Sequence, residues 1–463
     1  MSATYLAPPV INLGSSTRLM GAPISLPAAV TILQASKAGF AQGDQPDYYI
    51  AVKRTGGPHV TYHPTTANIA VPRTRADRFV PLAVIGSHAV QHAYGQGFLV
   101  ILPAVYAGLG LGPLEAGLID SVRRLTGGIT SMGGGLVVDR LQRYRSLMLA
   151  LALGLMGVGY FLAAVAPSYL LLVLAFGLAT GAGSLWHPPA LSILSQRFPG
   201  RRGLLIALHR ASGSIGDTAG PLLVGVLLRV ADWRGVLQAS LVPAGAVAVS
   251  LALILRSASG ASAGGRATAS PSFRVVLGSL VRLFRAGSLP RLMVVAGLRG
   301  MADNALLVFL PLYLSEVLRL DPVTVGFHVS LLTGLGIVSG PLLGALSDWA
   351  GRKWVVLGVM GVSALLAAAM GLVGQGVGLT VLVGLMGSVL YAANPILQAA
   401  AMDIADGLRL EGSMIGLMWG NNALFGAISP LILGLLAQSF GLGVVFWYAL
   451  VLYLAGALLT VTL

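Results

Sequence analysis

The chain has 463 residues, 56% of them hydrophobic and 10% charged, with a mean hydropathy of +0.84. Soluble domains carry about 25% charged residues, so a water-soluble enzyme and a charge-rich disordered protein are both excluded. Net charge is +14 and there is no cysteine, which removes disulfides, thiolate metal sites and cysteine nucleophiles.

A basic chain usually raises nucleic acid as a partner. None is expected here, because the basic residues sit in short loops between apolar runs. Residues 1–78 hold seven basic and three acidic residues and no run of the length that spans a bilayer. They read as a disordered cytoplasmic extension, or one from a mis-assigned start codon. Pro23 and Pro27 interrupt the faint signal-peptide pattern at Met20 to Ala41.

Apolar runs then repeat to the end of the chain. The reading is Phe79–Leu109, Pro113–Val138, Ser146–Ala166, Ser168–Leu194, Arg202–Arg229 and Trp233–Leu255, then Arg291–Glu316, Val323–Leu346, Lys353–Leu372, Gly378–Ile404, Ser413–Ser439 and Leu442–Leu463. Each must be helical in hydrocarbon, where backbone groups have no water to bond. The expected fold is an all-α polytopic membrane protein of twelve transmembrane helices. It divides into six-helix bundles at 79–255 and 291–463, joined by a cytoplasmic central loop at 256–290. Within that loop, Phe273–Leu289 interleaves apolar residues with Arg274, Arg282 and Arg285, a pattern suited to lying on an anionic leaflet.

Fifteen basic residues lie in the loops after even-numbered spans and three, Arg229, Arg234 and Arg319, in those after odd-numbered spans. The positive-inside rule then puts both termini in the cytoplasm of a multi-pass inner (plasma) membrane protein.

The two halves repeat. Asp139 in GGGLVVDRLQRYR and Asp348 in GPLLGALSDWAGRK are 209 residues apart, as are Pro221 in span 5 and Pro430 in span 11. The flanks match as well: Gly135 with Gly344, Arg143 with Arg352, and Gly225 with Gly434. Duplicated halves with a binding site between them near the midplane are a transporter architecture. Asp139, Arg143, Asp348 and Arg352 are expected to form a gate at the cytoplasmic helix ends, where close glycines let neighbouring helices approach.

Charges inside spans are costly and usually face a cavity. Span 2 has Asp120, Arg123 and Arg124; span 5 has Arg210 and Asp217; span 7 has Arg299 and Asp303. The spacings place each acid on one helix face with an arginine. Asp303 and Asp217 are candidates for proton coupling, joined by His88 and His92 in span 1. Arg299, Arg210 and Arg123 are candidates for an anionic substrate, with Gln96, Asn394, Trp419, Asn421 and Asn422 as polar or stacking partners. A metal site would need a third ligand that the sequence does not place, so none is expected. There is no Walker loop and no enzyme motif, so neither ATP, another cofactor nor catalysis is expected.

GGLVVDRLQRYR and GALSDWAGRK are similar to the duplicated loop signature of the major facilitator superfamily, G-x-L-x-D-R-x-G-R-R. Three stretches narrow the resemblance to its fosmidomycin-resistance-like branch: GSHAVQHAYGQGFLVILP, SLWHPPALSILSQRFPGRRG and VFLPLYL. Departures fall at His92, Pro189 and Ser214. The resemblance implies a proton-coupled secondary transporter working by alternating access, exporting a small organic molecule or drug by H+ antiport, as a monomer whose partners are substrate, protons and lipid. The competing readings are a proton-coupled uptake symporter and a non-transporting membrane sensor or assembly factor.

Overall fold

The computed structural model describes residues 30–34, 48–52, 75–257, 287–404 and 411–463. The amphipathic stretch expected from Phe273 to residue 286, Arg409, most of segment 1–78 and the side chain of Asp139 lie outside the described residues. Within the N-terminal segment, strands β1 (Val30–Gln34) and β2 (Tyr48–Val52) form an antiparallel ladder with Val30 opposite Val52.

Sixteen α-helices follow among the described residues. The first half comprises α1 (Arg75–Leu109), α2 (Pro113–Arg140), α3 (Arg145–Val165), α4 (Tyr169–Ser184), α5 (His187–Arg197), α6 (Arg202–Leu227), α7 (Trp233–Ala239) and α8 (Leu241–Ser257). The second comprises α9 (Ser288–Glu316), α10 (Pro322–Gly334), α11 (Gly336–Ala350), α12 (Arg352–Leu372), α13 (Val377–Leu390), α14 (Ala393–Ile404), α15 (Glu411–Phe440) and α16 (Val444–Thr460). They compose the twelve expected spans, because spans 4, 6, 8 and 10 are each two helices end to end. Prolines explain two of the breaks. Pro188 and Pro189 in span 4, and Pro395 in span 10, supply no N–H to the preceding turn. The chain there tightens instead, with Trp186 N bonding Gly183 O at 3.2 Å and Ala392 N bonding Val389 O at 3.2 Å.

Eight segments are long and apolar enough to cross a membrane. Helix α16 falls outside that group at 17 residues. Helices α1, α2 and α6 fall outside it because they carry the histidines, Asp120, Arg123, Arg124, Arg210 and Asp217. The spans least suited to lipid are therefore those that wall the polar interior.

Within each half the helices form a bundle, α1 against α6 and α3 against α4 and α8 in the first, α9 and α12 against α16 in the second. Between halves two seams dominate, α2 against α15 and α6 against α10. These are spans 2–11 and 5–8, the same contact under the repeat. A Cβ added at Gly117 would lie 2.2 Å from Pro430 O, and one at Gly326 would lie 2.5 Å from Pro221 O. One at Gly225 would lie 2.4 Å from Pro322 O, and one at Gly434 would lie 2.8 Å from Pro113 O. Every member of the first contact pairs with its counterpart 209 residues away in the second. All four contacts fall toward the end of the molecule that carries Arg229, Arg234 and Arg319. There Arg229 also reaches Asp321 across the halves at 3.6 Å. Asp321 caps α10, and the Thr324 hydroxyl bonded to it at 2.5 Å holds its carboxyl below the usual carboxylate range. The expected close approach at Gly344, near the other end, is absent in this conformation: among the described residues, no atom of another helix lies within 4 Å of its Cβ position. The halves are sealed at one end, and the counterpart seal at Gly344 near the basic loops is not made.

Candidate substrate cavity and buried charge pairs

Below the seal, a cavity of about 440 Å³ lies between the halves, within the usual range for small-molecule sites. From the first half come Arg123 and Arg124 (α2), Thr180 and Ser184 (α4) and Arg210 (α6); from the second come Asn394 and Gln398 (α14) and Trp419 and Asn422 (α15). Three arginines and no acidic residue line it. Glycines Gly127 and Gly128 keep the α2 wall low, and Gly128 is also where Ala423 packs. A polar cavity of about 220 Å³ adjoins it, sharing Arg123, Arg124 and Thr180 and adding Gln91, His92, Gln96, Asp120, His187 and Asp217. A third cavity, of about 420 Å³ between α1, α6 and α7, is apolar and holds no charged residue.

Asp120 is fully buried and bonds both Arg123 at 2.8 Å and Arg124 at 2.5 Å. One carboxylate thus fixes two guanidinium groups, leaving one positive charge in excess. Arg123 also lies 3.3 Å over the Phe98 ring, an arrangement that steadies a cation without neutralising it. Arg210 is exposed to the cavity and has no acidic partner among the described residues. The spacing of Arg210 and Asp217 suggested a pair on one face of α6. Asp217 instead bonds His92 Nδ1 of α1 at 2.7 Å, because the glycines of α6 bring the two helices together. Gly216 and Gly220 each place a Cβ position within 2.4 Å of an α1 carbonyl.

In the second half Arg299 and Asp303 form a direct ion pair, both buried. Tyr453 donates its hydroxyl to Asp303 Oδ1 at 2.7 Å, and Arg299 also donates to Leu390 O at 3.2 Å. The pair lies behind the cavity wall. Asn304, beside it, and Arg124 of α2 both pack at Gly426, so a change at Asp303 is one helix away from the cavity arginines.

The other expected residues divide cleanly. Gln96 donates to the Tyr391 hydroxyl of the other half at 3.4 Å. Asn394, Trp419 and Asn422 are in the cavity wall, whereas Asn421 is buried and donates to Met293 O at 3.0 Å, an interhelical tie. His88 is buried between α1 and α6. At the basic-loop end Arg352 pairs with Asp348 and with Asp403 at 3.2 Å, and donates to Ser347 at 2.8 Å. These partners all belong to the second half. Arg143 stacks on Tyr144, 4.6 Å from its ring centre. Sequence reasoning passed over His209 and Tyr453. His209 was legible, since it starts the stripe His209, Ser212, Gly213, Gly216 and Gly220 on one face of α6.

The sequence profile of the major facilitator superfamily matches residues 85–430. The chain belongs to this superfamily. It is accordingly a multi-pass membrane protein of a transporter superfamily. Among curated proteins it is 27% identical over 141 residues to a probable hexose phosphate transport protein of Chlamydia muridarum (strain MoPn / Nigg), covering 30% of each chain. It is 26% identical over 146 residues to the fosmidomycin resistance protein of Escherichia coli (strain K12), covering 32% of this chain and 36% of the relative. These matches span about a third of the relatives' length. Among solved structures, a bacterial homolog of the human lysosomal transporter Spinster, in an inward-facing and unoccupied conformation, superposes with a TM-score of 0.69 at 15% identity, over 84% of this chain and 95% of that one. The nucleoside transporter NupG superposes with a TM-score of 0.65 at 15% identity, over 83% and 98%. The fold is therefore that of the superfamily, as the loop signatures implied.

Proposed function

We propose that this chain exports a small organic anion by H+ antiport, through alternating access. The observation that supports the reading is the cavity between the halves, whose three charged residues are all arginine and whose two neighbouring carboxylates are already bonded, Asp120 to Arg123 and Arg124 and Asp217 to His92. A cavity with excess positive charge and amide and indole groups opposite selects an anionic group with a polar or flat body. The two curated relatives fit this reading: a hexose phosphate is an anion, and a resistance protein is consistent with outward transport.

Asp303 is the coupling residue in this reading. A proton on Asp303 removes the counter-charge of Arg299 and leaves Tyr453 and the Leu390 carbonyl as its neighbours' remaining bonds. That alters the packing of α9 against α15, and with it the surroundings of Gly426, where Asn304 and Arg124 both pack. With the basic loops cytoplasmic, the open end faces the cytoplasm and the sealed end faces out.

Transport in membrane vesicles tests the direction. Everted vesicles acidified inside should accumulate substrate from a panel of drugs and organic acids. Accumulation only in right-side-out vesicles with acid outside would instead establish uptake by symport, and no flux for any compound in liposomes would favour a non-transporting sensor or assembly factor.

Two further outcomes follow. Arg210→Gln should raise the KM of the anionic substrate about 10- to 100-fold with little change in stability, since a hydrogen bond to a charged group is worth about 1.5–3 kcal/mol. A neutral analogue should be unaffected. Asp348→Asn should slow transport several-fold, as expected of a gate residue. Its melting temperature should stay within about 2 °C of the parent, because the exposed ion pair contributes only about 0–1 kcal/mol. An unchanged transport rate would reduce the pair to a topology anchor.

A further inference from the structure

Four of the seven histidines, His88, His92, His187 and His209, meet inside the first half. We propose that three of them, His88, His187 and His209, form a site for a divalent transition metal, with zinc the closest chemical fit.

The three residues come from separate helices, α1, the first residue of α5 and α6, and a ring nitrogen of each lies within 4.8 Å of the others. His88 and His209 stack at 3.6 Å, and His187 meets His88 edge-on at 5.3 Å. His88 and His209 are 4% and 2% exposed, yet His88 Nε2 and His209 Nδ1 have no hydrogen-bond partner. Two unpaired imidazole nitrogens in the interior of a membrane protein are an unfavourable arrangement without a ligand.

The tautomer of His88 fits ligation. Its Nδ1 lies 2.7 Å from the His209 carbonyl oxygen. A carbonyl only accepts, so Nδ1 carries the hydrogen and the lone pair is on Nε2. Metal-binding histidines are oriented in this way, by donating their other N–H to a carbonyl or carboxylate. His92 is held differently. Its Nδ1 is bound to Asp217, and its ring meets His88 edge-on at 4.4 Å. Asp217 thereby sets a negative charge one imidazole away from the proposed cation.

The donor set selects the metal. Three nitrogens with no carboxylate among them do not suit magnesium, calcium or manganese, and the chain has no thiolate to hold soft copper(I). Three histidines leave a fourth position on zinc. His187 is also in the wall of the 220 Å³ polar cavity, so that position is reachable by water or by an anionic group. Zinc–nitrogen bonds of about 2.0–2.1 Å require nitrogens roughly 3.3 Å apart, so the rings must close by up to about 1.5 Å on binding. The bound metal would tie spans 1, 4 and 5 together within one half. The proposal is independent of what the protein transports.

The test uses the full-length chain without an affinity tag, stripped with chelator and titrated with Zn²⁺ alone. One saturable site per chain is expected, with three nitrogens at about 2.0–2.1 Å by X-ray absorption and a rise in melting temperature. His187→Gln or His209→Asn should weaken binding about 100-fold or more, since even changes to outer-shell partners cost 10- to 100-fold. His59→Gln with His63→Gln, in the N-terminal segment, should leave it unchanged. His209 is packed between α1 and α6, so if its variant is not monodisperse, His187→Gln decides alone. Absence of one-to-one binding by the parent protein overturns the proposal, as does binding that survives His187→Gln.

Discussion

Replacing Asp303 by Asn is expected to abolish the response of transport to a pH gradient while leaving exchange down a substrate gradient measurable. The residue is buried and bonded by Arg299 and by Tyr453, the latter at 2.7 Å. Breaking a buried pair from one side costs about 3–5 kcal/mol, a factor above 100 in any equilibrium it controls. A proton does this reversibly; Asn does it permanently and fixes the neutral state. The rival account is that the pair is only glue, two charges that neutralise each other in a helix. Asp303→Asn combined with Arg299→Gln separates the two. If the pair is glue, the double variant regains both stability and gradient-driven transport, because no charge is left uncompensated. If Asp303 couples, the double variant folds and still ignores the gradient. The measurement is substrate accumulation in liposomes with the gradient imposed and then collapsed. Persistent gradient dependence in Asp303→Asn would move coupling to another residue.

The parts of the fold that were legible in sequence are those fixed by the membrane. Hydrocarbon demands helices of fixed length, and the ends of spans 2, 7 and 9 fall within three residues of the apolar runs that announced them. The repeat was legible because it is set by interface geometry. Pro221 with Pro430 and Gly225 with Gly434 stood out as landmarks, and they prove to be half of each inter-half contact; Pro113 with Pro322 and Gly117 with Gly326 are the other half. Cavity arginines were legible for the same reason, since lipid tolerates them so poorly. What could not be read is partner choice. Arg210 and Asp217 share a helix face as Arg299 and Asp303 do, but seven residues, a rise of about 10.5 Å, separate them where four separate the second pair, and among the described residues only the second pair forms. The partner that Asp217 takes comes from the neighbouring helix: Gly216 and Gly220 admit α1 so closely that His92 reaches Asp217. Likewise Asn421 and Asn422 are adjacent, and helical rotation turns one to Met293 O and the other to the cavity.

Gly117→Ala with Gly326→Ala should trap the sealed end open. Each added methyl would stand 2.2 or 2.5 Å from a backbone carbonyl of the other half, and a carbonyl in a helix cannot swing aside as a side chain can. Overpacking of this kind costs about 1–3 kcal/mol per site. The two contacts lie in different seams and should add, giving about 2–6 kcal/mol, or a shift of roughly 30-fold to 10⁴-fold against the closed state. The penalty falls on conformation more than on folding, because the nearest atoms to both Cβ positions belong to the opposite half. The absence of cysteine in the chain makes the state directly readable. Leu99 is 3% exposed and lines the 220 Å³ cavity beneath the seal. A Leu99→Cys reporter should be labelled by an impermeant reagent from the sealed side in the double alanine variant and not in its parent. Gradient-driven transport should fall at least tenfold. Gly344→Ala, in open space in this conformation, should not increase labelling from the sealed side. Its effect should instead be to hinder closure at the basic-loop end, because under alternation that end must close when the other opens. Opposite shifts from glycines at opposite ends are what distinguish a rocking carrier from a rigid scaffold with the same fold.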